Sequence, residues 1–252
     1  MNINKYINNY LNKINDKISK NKIQKQKINL QLSNDEVKFF QFISYCSNYL
    51  NKIINNEFNF FTLCLSKDGE YIINDLCNQI YNLELKNLEL EDFKKKIRII
   101  KRRVNILLAL ISILEEKNIE EIGVISSKFA DLLIKSSLQF SLFQYLKNNP
   151  ELFNKKIDIY NSGFFLIALG KLGSYDLNYS SDVDLLFFFD DNKIKQYLYK
   201  NPGYYLNLII KNFINILSDI NEYDFVYRVD FRLRPDPGMT PLAISMSAAE
   251  NY

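Results

Sequence analysis

The run Gly163-Phe164-Phe165-Leu166-Ile167-Ala168-Leu169-Gly170-Lys171-Leu172-Gly173-Ser174, followed by Asp182-Val183-Asp184-Leu185-Leu186-Phe187-Phe188-Phe189-Asp190, decides how the chain is read. The first part is a short apolar stretch bounded by glycines, which predicts a strand buried on both faces and then a Gly-x-x-Gly-Ser loop. The second predicts another strand with acids at its mouth. Downstream, a helix is expected over Tyr204–Asp219. The run Phe225-Val226-Tyr227-Arg228-Val229-Asp230-Phe231-Arg232-Leu233-Arg234-Pro235 then alternates as a third strand, with Val226 and Phe231 toward the core and Pro235 as its stop.

Upstream the texture is different. Of 7 Gly and 5 Pro, only Gly69, Gly123 and Pro150 precede residue 160. A stretch so poor in turn-makers reads as helical, and the glycine-rich remainder as mixed α/β. The expected fold class is therefore α+β, with a mostly helical region over 1–155 and an α/β domain with a mixed sheet over 156–252. Ser33-Asn34-Asp35-Glu36 has the form of a capping box, so a helix should begin there, with Val37, Phe39, Phe40, Phe42, Ile43 and Tyr45 as its apolar face. Further helices are expected over Leu90–Glu116 and Ser126–Leu146. The basic runs Lys94-Lys95-Lys96 and Lys101-Arg102-Arg103 read either as a solvated helix face or as phosphate contacts, and residues 1–32 as a solvated helix or a loose arm.

Composition removes several chemistries. The 252 residues carry 32 Lys plus Arg and 29 Asp plus Glu, a net +3 that by itself argues for neither a nucleic-acid nor a membrane partner. There is no histidine, which excludes Ser-His-Asp and Cys-His catalysis, His-ligated zinc and a histidine proton switch. Three cysteines, Cys46, Cys64 and Cys77, form no Cys-x-x-Cys pair, so a reducing cytoplasm is the expected setting. No apolar stretch is long enough for a bilayer span, and the amino terminus has no signal-peptide pattern.

What remains is carboxylate and cation chemistry. Asp182 and Asp184, two apart on a strand, project from one face and repel each other unless a cation lies between them; oxygen-only ligation suits Mg²⁺. If the strand carrying Asp230 lies alongside, a third carboxylate joins them, and three such acids can hold two Mg²⁺ ions for an in-line phosphoryl or nucleotidyl displacement. Gly173 and Ser174 offer backbone and hydroxyl donors to phosphate, with a short helix expected to follow. Lys171, Arg232 and Arg234 add charge, although a strand-borne arginine can equally pair with a nearby acid. Alone, Asp-x-Asp also occurs in surface turns and caps, and Gly-x-x-Gly-Ser in plain turns; it is their order that points to a site.

That order resembles the nucleotidyltransferase superfamily that includes DNA polymerase beta. More narrowly, Gly170-Lys171-Leu172-Gly173-Ser174-Tyr175-Asp176-Leu177-Asn178-Tyr179-Ser180-Ser181-Asp182-Val183-Asp184-Leu185 with Val229-Asp230-Phe231-Arg232-Leu233-Arg234-Pro235 is similar to the glutamine synthetase adenylyltransferase/adenylyl-removing enzyme family. The likeness covers about 160–252, extends in tenor over 90–150, and is weaker before that. It implies a Mg²⁺-dependent nucleotidyltransferase acting on the AMP–tyrosine linkage of glutamine synthetase, by adenylyl removal through phosphorolysis, adenylyl transfer from ATP, or both, with ATP, ADP and phosphate as substrates and a nitrogen-signalling protein as regulator of nitrogen assimilation. By the resemblance Asp182, Asp184 and Asp230 are the metal ligands and catalytic acids, Asp230 also orienting or deprotonating the attacking oxygen. Gly173, Ser174, Lys171, Arg232 and Arg234 are then nucleotide contacts. The stretch Arg234-Pro235-Asp236-Pro237-Gly238-Met239-Thr240-Pro241-Leu242-Ala243-Ile244-Ser245, preceded by a helical region of this length, is more similar to the family's amino-terminal module than to its carboxy-terminal one, so the resemblance favours AMP removal by phosphorolysis over AMP addition. Ser174 stands where relatives usually have glycine or alanine. The sequence stops at Tyr252 where relatives continue into more helices and a second module, so a truncated module is expected. The alternatives left open are a nucleotidyltransferase with another acceptor, such as RNA, an antibiotic or another protein, and a silent remnant that binds glutamine synthetase.

Overall fold

The computed structural model describes residues 32–114, 117–152, 158–198, 201–234 and 238–251. The expectation for residues 1–32 therefore lies almost wholly outside the described residues. Helices α1 (Asn34–Cys46), α2 (Asn48–Asn56), α3 (Phe58–Ser66), α4 (Gly69–Tyr81), α5 (Leu90–Ile113) and α6 (Ile119–Asn148) come first. A 3₁₀ turn at Pro150–Leu152 precedes β1 (Phe164–Leu169), α7 (Gly170–Gly173), β2 (Val183–Phe189), α8 (Asp191–Ile194), α9 (Pro202–Ser218), β3 (Val229–Asp230), β4 (Ala243–Ser245) and α10 (Met246–Ala249). The fold is α+β, as the sequence predicts. Among the described residues no helix is long and apolar enough to cross a membrane.

Two compact units divide the chain. One takes in residues up to Leu76 and Arg102–Ile122; the other takes in Cys77–Lys101 and Gly123–Tyr252. In the first, the Ser33 capping box forms: the Ser33 hydroxyl accepts from the Glu36 N–H and the Glu36 carboxylate accepts from the Ser33 N–H. Phe39, Phe40 and Ile43 are buried behind it, but Tyr45, expected on the same apolar face, is exposed. Glu57, its side chain nearly buried, takes Arg102 at 3.3 Å and Arg103 at 2.9 Å.

In the second unit β2 is central. It runs antiparallel to β1, and its other edge is shared by β3 at its start and β4 at its end, both parallel. This is a mixed sheet. Val183, Leu185, Phe187 and Phe189 are buried, while Asp184, Leu186 and Phe188 alternate onto the opposite face. Helix α9 buries Leu206, Ile209, Ile210, Phe213, Ile216 and Leu217, and Phe213 meets Phe187 edge to face at 5.5 Å. Each such side chain contributes about 1.5–3 kcal/mol relative to exposure.

Four expectations change here. The first strand is not buried on both faces: β1 is an edge strand with Phe165 and Ile167 exposed, so its unbroken apolar run is covered on one face only. The third strand is two residues long rather than eleven, because β4 takes the rest of the β2 edge and leaves Arg232 and Leu233 in a turn. Val226 is buried as expected, whereas Phe231 is only half-buried, 5.7 Å from Phe187. Helix α6 begins at Ile119 rather than near Ser126, because Asn118 and Glu121 form a second reciprocal capping pair.

The basic runs on α5 are not simply a solvated face either. Lys94, Arg98 and Lys101, spaced four and three residues apart on one side of the helix, are all buried. Arg98 donates to the carbonyls of Asp224 at 2.7 Å and Asp219 at 2.6 Å. Lys94 pairs with Asp219 at 3.2 Å, and Lys101 lies 4.4 Å from the centre of the Tyr227 ring. The segment they grip, Asp219–Tyr227, leads directly into β3.

Candidate active site

The site forms on the open face of the sheet. Asp184, the second residue of β2, is the cross-strand partner of Asp230 in β3, and of Leu169 at the end of β1. Register partners on neighbouring strands send their side chains to the same face, so these two carboxylates sit side by side. Asp182 lies one residue ahead of β2 and is exposed. The local sequence explains the meeting: Val183 and Val229 pair in the core layer and put Asp184 and Asp230 in step outside it.

Charge is unevenly shared among the three. Partial burial, then the charges of Asp230 and Asp182, push the Asp184 carboxyl above the usual carboxylate range, with Arg232 opposing. Hydrogen bonds from the Arg232 side chain and backbone hold Asp230 below it. Arg232 Nε donates to Asp230 Oδ2 at 2.8 Å and its N–H to Oδ1 at 2.8 Å. Arg228 Nε donates to Asp182 Oδ1 at 2.6 Å. Two guanidinium groups thus neutralise the outer carboxylates and leave Asp184 between them.

The Gly-Ser element differs from a loop preceding a helix. Gly170–Gly173 is itself a single helical turn, closed by Ser174, whose hydroxyl donates to the Gly170 carbonyl at 3.1 Å and the Lys171 carbonyl at 3.3 Å. No separate short helix follows it before β2. Its glycines are required by close approach. Gly170 has φ +55°, and a Cβ there would lie 2.5 Å from Asp184 Oδ2; a Cβ at Gly173 would lie 2.6 Å from the Ala168 carbonyl oxygen. The turn therefore packs directly on the Asp184 carboxylate. Lys171 is exposed, and Arg234 donates to the carbonyls of Phe231 and Thr240.

The structure thus brings Asp184, Asp230 and Arg232 together beside Gly170–Ser174, with Asp182 adjoining. Arg234 points to a backbone loop instead. Sequence reasoning passed over Gly170, Arg228 and the ties that fix the turn to α6. Tyr175, at φ +59°, donates from its hydroxyl to Asp131 at 3.0 Å, and Leu177 N–H donates to the Ser127 hydroxyl at 3.1 Å. Only Gly170 carried a signal, as the residue that opens the motif.

Among the described residues no group of three acids and cysteines is placed to hold a metal ion as it stands. The donor set nonetheless fits a hard divalent cation. It is all carboxylate oxygen, burial and then the charges of Asp230 and Asp182 raise the Asp184 carboxyl, and the two outer members already attract positive groups. What must give way is the arginine contacts.

The model of the family described as glutamate-ammonia ligase adenylyltransferase matches residues 43–252. The chain is similar to proteins named bifunctional glutamine synthetase adenylyltransferase/adenylyl-removing enzyme. That of Agrobacterium fabrum (strain C58) is 29% identical over 216 residues, covering 82% of this chain and 21% of the relative. That of Brucella suis biovar 1 is 32% identical over 160 residues, 62% of this chain and 16% of the relative. That of Rhizobium meliloti (strain 1021) is 44% identical over 92 residues, 36% of this chain and 9% of the relative. The chain spans about a fifth or less of the length of these curated relatives. With the family model covering most of its residues and its motif residues meeting at one sheet face, the chain belongs to the glutamate-ammonia ligase adenylyltransferase family.

Proposed function

We propose that this chain is a nucleotidyltransferase that acts on the AMP–tyrosine linkage of glutamine synthetase in the cytoplasm, in the direction of AMP removal by phosphorolysis with release of ADP. The observation that carries the reading is the register pairing of Asp184 with Asp230 beside the Gly170–Ser174 turn. The domain assigned to this chemistry is 156–252, which lies within the second compact unit. Asp182, Asp184 and Asp230 would hold Mg²⁺, as a pair of ions; when bound, the metal supplies positive charge to the attacking and leaving oxygens.

The residues of the chain do the rest. Asp230 orients the attacking phosphate oxygen or takes its proton. Gly173 and Ser174 meet the nucleotide phosphates, and Lys171 and Arg232 add phosphate contacts, whereas Arg234 is held on the Phe231 and Thr240 carbonyls. Arg232 fits this role best, since its guanidinium is exposed on the carboxylate face. A nitrogen-signalling protein as regulator belongs to the same reading.

The test uses glutamine synthetase carrying labelled AMP, incubated with the purified chain, Mg²⁺ and phosphate. Labelled ADP should appear with the wild type and fall at least about 10³-fold with Asp184→Ala, whose circular dichroism stays unchanged; retained turnover in that variant removes the assigned site. Transfer of label from ATP to RNA or to a small acceptor, with none to or from glutamine synthetase, would instead establish a different acceptor.

A further inference from the structure

The residue that the motif did not single out, Arg228, stands directly ahead of β3. Its Nε donates to Asp182 at 2.6 Å, its Nη2 donates to the Ser180 carbonyl at 3.1 Å, and its own carbonyl accepts from the Val183 N–H at 2.9 Å. It therefore spans the entry to β3 and the entry to β2. The pair is solvent-exposed, with 59% of the Arg228 side chain and 44% of the Asp182 side chain accessible. An exposed pair of this kind is weak, whereas a divalent cation drawing on several carboxylates gains from each of them. A second resting place is within reach, since the guanidinium lies 5.9 Å from the Phe225 ring centre. By contrast Arg232 holds its acid through both side chain and backbone, only two residues away.

We propose that Arg228 is a further functional residue of the site, a positioning residue whose guanidinium and a divalent cation compete for the Asp182 carboxylate. Cation binding moves the Arg228 fork off Asp182, while the backbone bond from the Val183 N–H to the Arg228 carbonyl keeps the strand entry in place. This rests on the metal-binding reading above, but it concerns this chain's own side chain and has its own readout.

The experiment follows the arginine Nε–H resonances of the ¹⁵N-labelled 252-residue chain, with the Arg228 signal assigned by its loss in Arg228→Lys. Mg²⁺ should shift that signal saturably, and KCl at matched ionic strength should not. In parallel, calorimetry on Arg228→Gln should show Mg²⁺ binding about two- to fivefold tighter than wild type, the range expected for release of an exposed ion pair. The gain should persist at high salt, where a through-space effect is screened, and Arg228→Lys should fall between the two. Mg²⁺ uptake with the Arg228 signal unmoved overturns the inference and leaves the metal reading standing. So does Arg228→Gln binding Mg²⁺ no tighter than wild type, which decides the matter even if the Nε–H exchanges too fast to be seen. If the wild-type chain takes up no Mg²⁺, the metal reading falls and this inference with it.

Discussion

Replacing Gly170 with alanine perturbs the contact on which the site is built. Two costs follow from the geometry. A residue with a Cβ at φ +55° loses about 1–2 kcal/mol against glycine. The added Cβ would also start 2.5 Å from Asp184 Oδ2, so the carboxylate must retreat by roughly 1 Å to reach an ordinary contact. Asp184 is a strand residue locked between Leu169 and Asp230, so it has little room to do so. Together these give a loss of about 2–3 kcal/mol and a misplaced Asp184, and a displacement of that size costs about 10²-fold in turnover. Gly203→Ala is the contrast: its Cβ would meet Phe189 Cζ at 3.8 Å, an ordinary contact within α9, so it should stabilise by up to about 1 kcal/mol. Urea denaturation followed by circular dichroism reads both. In an Asp184→Ala background the carboxylate clash is gone, and Gly170→Ala should cost only the backbone part, a coupling that a double-mutant cycle measures. If Gly170→Ala lowers stability equally in both backgrounds, the proposed contact with Asp184 is refuted.

Other substitutions test other parts of the fold. Arg98→Met leaves the Asp219 and Asp224 carbonyls without their donor and should cost about 2–4 kcal/mol in urea denaturation; a loss under about 0.5 kcal/mol would show that the buried guanidinium is dispensable. Among the described residues Lys101 has no carboxylate partner, and its burial brings its ammonium down from 10.5 to about 7. Between about pH 7 and 10 the unfolded chain therefore holds a proton that the folded one has released, so the difference in stability between wild type and Lys101→Met should move in favour of wild type as pH rises, by up to about 1.4 kcal/mol per pH unit. A flat difference between pH 7 and 9 contradicts this. Ser33→Ala removes the α1 cap and should cost about 1 kcal/mol, read in the same denaturation experiment.

The fold class and the face that each acid takes were legible because they rest on short-range pattern, whereas the meeting of Asp184 with Asp230 was only a condition on strand adjacency, one that the register meets. The alternation from Val183 to Phe189 sets which face each residue takes, and the valines at 183 and 229 can pair only if the acids beside them do too. What escaped the sequence was whatever depends on a neighbour distant along the chain. An apolar run such as Phe164–Leu169 reads the same at an edge as at the centre of a sheet, and only the pairing shows that one face is open. The alternation around Asp230 suggested a long strand, yet the competing β4 lies beyond the loop and cannot be inferred from local pattern. The α5 lysines and arginine read as solvent-facing charge or phosphate contacts, although the spacing of Lys94, Arg98 and Lys101 follows that of buried Phe93, Ile97 and Ile100 closely enough to have signalled burial.

Those buried cations also bear on the site, although none of them touches it. Each of the three aspartates is held by a different device: Asp184 by the β2 ladder and Gly170, Asp182 by Arg228, and Asp230 by a strand of only two residues. A two-residue strand has too few ladder bonds to fix its own position, so the segment before it must supply the rest. Arg98, Lys94 and Lys101 do this by gripping Asp219–Tyr227, and the Ser218 hydroxyl adds contacts to the Tyr227 carbonyl and the Val229 N–H. Loosening α5 should therefore displace Asp230 before it disturbs Asp184 or Asp182. That order distinguishes a helix that positions one acid of the site from a helix that merely stabilises the unit.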